Sequence, residues 1–249
     1  MEEKVLPLDR VLCLHGGRIT VRQLMLYLEN VSGHKSELAD FVYNRLYEKY
    51  IEPFCVLEEL KGNKEQLKSI LSGIAEKQGA MFVESDARVR TGFAIMANTC
   101  LLIEALQCFR YGLPSSRDEG LKLFNQFFRE KNTVAVFGKV ACNELENRRN
   151  GFYTGVRCGL LHQGETLQGW TISSKYAKAL DAKTRQINAQ KFLGLMRAVL
   201  AGYKQELMKA DLDSELWNNY VLKLHVLIKN CEMPAGLQVK GKQKNKMSN

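Results

Sequence analysis

The sequence predicts an all-α protein, a helical bundle of about six to eight helices around one long apolar central helix. Proline, the strongest helix breaker, occurs only four times in 249 residues. Apolar residues recur at helical spacing in most segments, whereas the alternating pattern of strands is almost missing. The segment from Asp86 to about Tyr111 is apolar on several sides, which is typical of a helix in the centre of a bundle.

Capping residues, glycines and prolines give the bounds of the other elements. Thr20 with Gln23 and Ser116 with Glu119 each form a capping box, the second opening a short amphipathic helix. The run from 131 to 140 is β-prone but too short to require a sheet, and 164–175 is expected to be extended or looped. The remaining predicted helices run from 20 to about 30, from 36 to just before Pro53, and over about 64–78, 143–162, 188–209 and 214–230.

The predicted organisation is a single helical domain over residues 1–236, with the N-terminal helices packed on it, and a disordered basic tail over 237–249. The tail is almost devoid of apolar residues and holds four lysines, which accounts for part of the net charge of +9. The mildly basic remainder is compatible with a polyanionic partner such as RNA but does not single one out.

Several classes of protein are disfavoured. The seven cysteines include no Cys-x2-Cys pair, so we expect reduced, scattered thiols and no metal site or other cofactor. The N-terminus lacks the apolar core of a signal peptide, and no run of about 18 apolar residues indicates a membrane span. A cytoplasmic protein that does not contact membranes is therefore expected.

The residues that carry chemistry are expected between positions 148 and 165. Of the four histidines, His162 stands out because Arg157 precedes it by five positions. On a straight α-helix the two side chains would point about 140° apart, separated by about 7.5 Å along the axis. A bent arginine, a distorted helix or a two-fold copy of the helix could each bring them to one substrate.

Small residues flank this pair. Gly155 and Gly159 lie within about 60° of His162 on the helical wheel, where they make room for a neighbouring backbone or a ligand. Cys158 and His162 are four apart, which also permits a Cys–His nucleophile pair or a two-ligand metal site. Both are disfavoured, because no acidic pair joins them and the surroundings are apolar.

Arginine and histidine suffice for metal-independent cleavage of RNA. A neutral imidazole can take the proton of a ribose 2′-OH, and a second imidazolium can protonate the 5′-O leaving group. The guanidinium of Arg157 would hold the scissile phosphate and stabilise the charge of its transition state. Since each chain offers one good histidine, His162, this chemistry implies a dimer, or water in one of the two roles.

Neighbouring side chains extend the candidate substrate site. Arg148 and Arg149 could hold flanking phosphates, and Asn150 falls within about 20° of Arg157 on the wheel. Tyr153 could donate a hydrogen bond or stack on a base. Glu165 follows His162 by about one turn and could orient the imidazole.

The stretch Tyr-Thr-Gly-Val-Arg-Cys-Gly-Leu-Leu-His-Gln-Gly-Glu-Thr resembles the HEPN superfamily, in particular its bacterial members. The motif of that superfamily is an arginine, four to six residues and a histidine near the end of a helix, here Arg157 and His162. The resemblance covers roughly residues 143–170. One departure is Cys158, where the family usually has a polar residue, often asparagine.

The resemblance implies a helical bundle that acts as a homodimeric, metal-independent endoribonuclease, with Arg157 and His162 as the catalytic pair at the dimer interface. Many members serve in toxin–antitoxin or phage-defence systems, which adds an antitoxin or regulatory protein as an expected partner. Two alternatives stay open. The chain could be a non-catalytic HEPN module that binds RNA or nucleotide through Arg157, with His162 structural, or a helical interaction protein with no nucleic-acid role.

Overall fold

The computed structural model describes residues 4–55, 65, 69, 91–146 and 151–234, and its folded part is mostly helical. The α-helices are α1 (Val21–Glu29), α2 (Lys35–Tyr50), α3 (Gly92–Arg110), α4 (Gly120–Arg129), α5 (Lys131–Phe137), α6 (Lys139–Glu146), α7 (Gly159–Gln163), α8 (Ala189–Lys209) and α9 (Glu215–Lys229). A π-helical segment, Tyr153–Cys158, lies directly before α7.

The predicted central helix is confirmed as α3, which packs against α2, α4, α8 and α9. Its buried residues lie on several sides, from Ile95 to Phe109. By length and composition this helix could cross a membrane, but 61% of its apolar 18-residue stretch is buried inside the fold. Burial of this kind is the behaviour of a core helix. One contiguous cluster of buried side chains runs from Leu12 to Cys231.

Local capping accounts for several helix starts. The Thr20 side chain accepts from the Gln23 amide, and the Gln23 side chain accepts from the Thr20 amide, which confirms the first capping box. The side chains of Asn188 and Ser214 cap α8 and α9 at the predicted positions.

The second predicted capping box is wrong. Helix α4 begins one turn later, after Glu119, without a side-chain cap. The hydroxyl of Ser116 instead donates to Glu104 Oε2 on α3 at 2.5 Å. The buried carboxylate of Glu104 needs hydrogen-bond donors, and meeting this need stabilises the protein more than a local helix cap by Ser116 would. The β-prone run after α4 is helical as well, forming α5.

Short strands supplement the helices among the described residues. They are β1 (Lys4–Val5), β2 (Val11–Cys13), β3 (Ile19–Thr20), β4 (Thr171–Ile172), β5 (Leu180–Asp181), β6 (Gln186–Ile187) and β7 (Met233–Pro234). β1 pairs with β7 and β2 with β3, while β6 lies between β4, which is parallel to it, and antiparallel β5. Strand β4 of this three-stranded sheet lies within the stretch 164–175 that was expected to be extended or looped, directly after buried Trp170.

The single helix predicted over about 143–162 is also wrong. Helix α6 ends at Glu146, and Gly151 has a φ of 62°, a left-handed conformation that interrupts an α-helix. The predicted helix over 64–78 and the predicted tail over 237–249 lie outside the described residues, apart from Glu65 and Ser69.

Candidate active site

The backbone that carries the candidate site is an unusual turn of helix. Within the π-helical segment hydrogen bonds span five residues, and the amide of Gly159 still donates to Thr154 at its end. Phe152, just before this segment, is buried and anchors it. The ring of Phe152 packs against the rings of Phe124, Phe128, Trp170 and Phe192. The segment is therefore fixed to the core at its start, and π-helical turns are frequent at functional sites.

Arg157 and His162 meet within one chain. Arg157 Nη1 lies 3.2 Å from His162 Nε2. The expectation that the two side chains point far apart assumed a straight α-helix. Arg157 lies near the end of the π-helical segment, where i→i+5 bonding winds the chain by fewer degrees per residue, and His162 lies in α7. The changed winding narrows the angle between them only slightly, and the long arginine side chain spans the rest. The two residues therefore do not need a second copy of the helix to come together.

Glu104 on α3 completes the arrangement. Arg157 Nε donates to Glu104 Oε1 at 2.6 Å, and the side chains of Arg157 and Glu104 are 16% and 6% exposed. Burial disfavours the charge of Arg157, but the hydrogen bond and charge of Glu104 outweigh it and raise the pKa of Arg157. The guanidinium is thus held with one edge on Glu104 and one nitrogen on His162.

Glu104 was missed by the sequence-based prediction, although a signal was present. It is the only acidic residue in the 19 residues of α3, among side chains that are otherwise apolar or uncharged up to Arg110. A carboxylate in the middle of a core helix requires a donor, and an arginine in the candidate site is a suitable one. Glu104 and Arg157 are 53 positions apart in the sequence, and the motif around Arg157 does not reveal that its segment packs against α3.

Tyr153 supports the guanidinium from one side. The Arg157 guanidinium carbon lies 5.5 Å from the centroid of the Tyr153 ring, and that ring packs edge-on against Phe124. The Tyr153 hydroxyl lies close to Gly120 and interacts with the Cys158 thiol, and burial raises the pKa of Tyr153. The ring is half-buried beneath Arg157, so it positions the arginine in this structure instead of offering a free face to a base.

The contact with Arg157 defines the tautomer of His162. A guanidinium has donors and no acceptor, so Nε2 accepts and the proton of the neutral imidazole lies on Nδ1. His162 is exposed, whereas the Arg157–Glu104 pair behind it is not. The site therefore holds an imidazole near the surface, and the lone pair of its Nε2 atom faces the positive charge of Arg157.

Gly155 and Gly159 make room for a neighbouring stretch of backbone. The sequence left open whether they make room for backbone or for a ligand. A Cβ on Gly159 would lie under 3.0 Å from the carbonyl oxygen of Glu165, and the Leu167 amide donates to Gly155 at 2.7 Å. The chain turns back over the helix at Gly164, whose φ of 71° is the left-handed cap of α7. Glu165 contributes its carbonyl to this packing and its side chain is exposed.

The remaining predicted site residues fall into two groups. Arg148, Arg149 and Asn150 lie outside the described residues. Cys158 is half-buried beside Tyr153, a placement that does not favour the Cys–His nucleophile pair. Within the described part of the chain, no group of three or more His, Cys, Asp or Glu side chains could hold a metal ion.

Comparison with known proteins gives no assignment, since no protein-family model, no curated protein and no solved structure matches the chain. The class of site is therefore defined by its own geometry. It consists of a buried carboxylate, an arginine clamped to that carboxylate, and an exposed histidine in contact with the arginine.

Proposed function

We propose that the protein is a metal-independent endoribonuclease of the HEPN type that acts as a homodimer in the cytoplasm, in a toxin–antitoxin or phage-defence system with a neutralising partner. The observation that supports this most is the contact of Arg157 Nη1 with His162 Nε2 at 3.2 Å. It supports the proposal because it brings together a guanidinium that could bind a phosphate and an imidazole that could act as a general base.

In the proposed reaction, Arg157 binds the phosphate and His162 acts as the base. A scissile phosphate draws the free edge of the Arg157 guanidinium towards its oxygens, which releases His162 Nε2. Nε2 then takes the 2′-OH proton, the 2′-oxygen bonds to phosphorus, and the bond from phosphorus to the 5′-oxygen breaks. The leaving oxygen takes its proton from the imidazolium of a second copy or from water. The products are a 2′,3′-cyclic phosphate and a 5′-hydroxyl.

The test is incubation of the purified protein with end-labelled RNA in EDTA. We expect cleavage with 2′,3′-cyclic phosphate ends, and a loss of roughly 10²–10⁴-fold in rate for His162→Ala, the range for one acid–base group. His225→Ala is the matched control, since His225 is an exposed histidine on α9. Intact RNA after incubation with folded, dimeric wild-type protein would refute the nuclease.

One observation favours a second candidate, the non-catalytic module that binds RNA or nucleotide. His162 Nε2, the atom that would have to take the 2′-OH proton, is already engaged by Arg157 Nη1, as in a structural contact. A truncation of Arg157 alone would leave Glu104 buried and unpaired, so the double variant Glu104→Met with Arg157→Leu is the cleaner probe. Salt-sensitive RNA binding by the wild type, lost in this variant and without any cleavage, would support this candidate.

A further inference from the structure

A second positively charged site lies on the other side of α3. Four cationic side chains, Arg10, Arg45, Lys49 and Lys223, line a cavity of about 240 Å³ between α2, α3 and α9. Among the described residues that line it, none is acidic. The concentration of four positive charges at one cavity distinguishes this place from an ordinary basic surface.

The two inner cations are held in place by neutral groups. Arg45 Nη1 donates to the Leu12 carbonyl, and the guanidinium stands 6.0 Å from the Phe41 ring centroid. Lys223 Nζ donates to the Pro114 carbonyl at 2.9 Å and stands 6.0 Å from the centroid of Phe109. Both side chains are half-buried, so the positive charge is fixed before any ligand arrives.

Three other half-buried cations of this protein pair with carboxylates. Arg110 pairs with Glu206 at 2.7 Å, Arg157 pairs with Glu104, and Lys204 pairs with Asp40. Within the part of the chain that the structure describes, no such ion pair is made by the four cations of the cavity. Burial lowers the pKa of Arg45, Lys49 and Lys223, and the charge of Arg45 lowers that of Lys49 further. The charge of nearby Glu48 offsets the lowering for Arg45 and Lys49 only in part. A bound anion would relieve both effects.

We infer that this cavity binds a phosphomonoester, either inorganic phosphate or the terminal phosphate of a small metabolite or nucleotide. A dianion matches four cations better than the single charge of an internal phosphodiester does. The volume accommodates a phosphate group with part of its substituent, whereas an internal phosphodiester needs room for chain on both sides. Tyr50 and Asn230, which also line the cavity, supply neutral hydrogen-bonding groups.

The experiment is isothermal titration calorimetry at constant ionic strength on the full chain, with 5′-AMP, inorganic phosphate, adenosine and the dinucleoside monophosphate ApA. We expect 5′-AMP and phosphate to bind saturably and adenosine not to bind. Any binding of ApA should occur at Arg157 and His162, and Lys49→Gln should leave it unchanged. The variant Lys49→Gln should weaken 5′-AMP binding roughly tenfold or more, as expected for loss of a charge-assisted hydrogen bond. Lys49 is exposed at the rim, so this substitution leaves the core intact.

Lys209→Gln is the matched control, because Lys209 is an exposed lysine at the end of α8 and does not line the cavity. An equal loss of affinity in Lys209→Gln would show binding to net charge alone and overturn the inference. ApA binding that Lys49→Gln weakens as much as it weakens 5′-AMP binding would assign the cavity to an RNA backbone and overturn it too. His162→Ala should retain full affinity for 5′-AMP, so this site stands or falls separately from the nuclease.

Discussion

Arg110 and Arg157 have similar surroundings but differ in what lies on their outer side. Each guanidinium stands on a tyrosine ring, Arg110 on Tyr203 at 4.9 Å and Arg157 on Tyr153 at 5.5 Å. Each is paired with carboxylate, and the side chains are 12% and 16% exposed. Such pairing is expected for any arginine in a helical bundle.

The difference is the histidine. Arg110 is enclosed by Glu130 and Glu206, whereas Arg157 has one carboxylate and turns its remaining edge to the exposed His162. Arg110 also lies on regular α-helix, while Arg157 lies on the π-helical segment. A buried ion pair alone thus says little about function, and the contact with an exposed titratable group is what separates the two sites.

The largest effect on stability is expected for Glu104→Ala. Arg157 and Ser116 both lose their acceptor, and the arginine stays buried without a counter-charge. The free energy of unfolding should fall by about 3–5 kcal/mol, measured by urea denaturation. Glu130→Ala is the matched substitution at the other site and should cost only about 1.5 kcal/mol, because Arg110 keeps Glu206. Equal losses of unfolding free energy in Glu104→Ala and Glu130→Ala would contradict the difference between the two arginine sites.

An intermediate effect is expected for Gly159→Ala. The added methyl would meet the Glu165 carbonyl, which belongs to backbone and cannot rotate away. The free energy of unfolding should fall by about 1–3 kcal/mol, and RNA cleavage per folded molecule should fall with it. Gly194→Ala in α8 has open space around its Cβ and should stabilise the protein by about 0.5–1 kcal/mol. A stabilised Gly159→Ala protein would contradict the packing of the returning loop.

The smallest effects are expected for the two tyrosines beneath the arginines. Tyr153→Phe keeps the ring and loses only the hydroxyl's interaction with Cys158, at a cost of at most about 1 kcal/mol of unfolding free energy. Tyr203→Phe should be neutral or stabilising, because its buried hydroxyl has no hydrogen-bond partner among the described residues. Thermal denaturation of Tyr153→Phe and Tyr203→Phe measures these changes in stability. A drop of more than about tenfold in the cleavage rate of Tyr153→Phe would instead place the hydroxyl in the chemistry.

Much of the helical layout could be predicted from local signals. The capping box at Thr20, the caps at Asn188 and Ser214, and the apolar run of α3 act through neighbours in sequence or through overall burial. Ser116 shows the limit of such local signals. Its hydroxyl is suited to cap a helix but donates instead to Glu104, twelve positions away in the sequence.

The sequence predicted two of the three side chains that meet at the candidate site, but not their geometry. Arg157 and His162 were named from their spacing, yet neither their contact nor the π-helical segment that carries Arg157 can be read from the side-chain pattern of a helix. Glu104 could have been suspected as a lone acid in an apolar helix, but its partner comes from another element. Long-range pairing of this kind depends on tertiary packing.

Glu104 has a consequence for how the new chain is sorted in the cell. Among the helices that the structure describes, α3 alone is long and apolar enough to cross a membrane, so before folding it could be inserted by mistake. An ionised side chain near the middle of such a span costs roughly 2.5–3.5 kcal/mol. The same carboxylate that holds Arg157 in the folded protein therefore also steers the unfolded segment away from the bilayer.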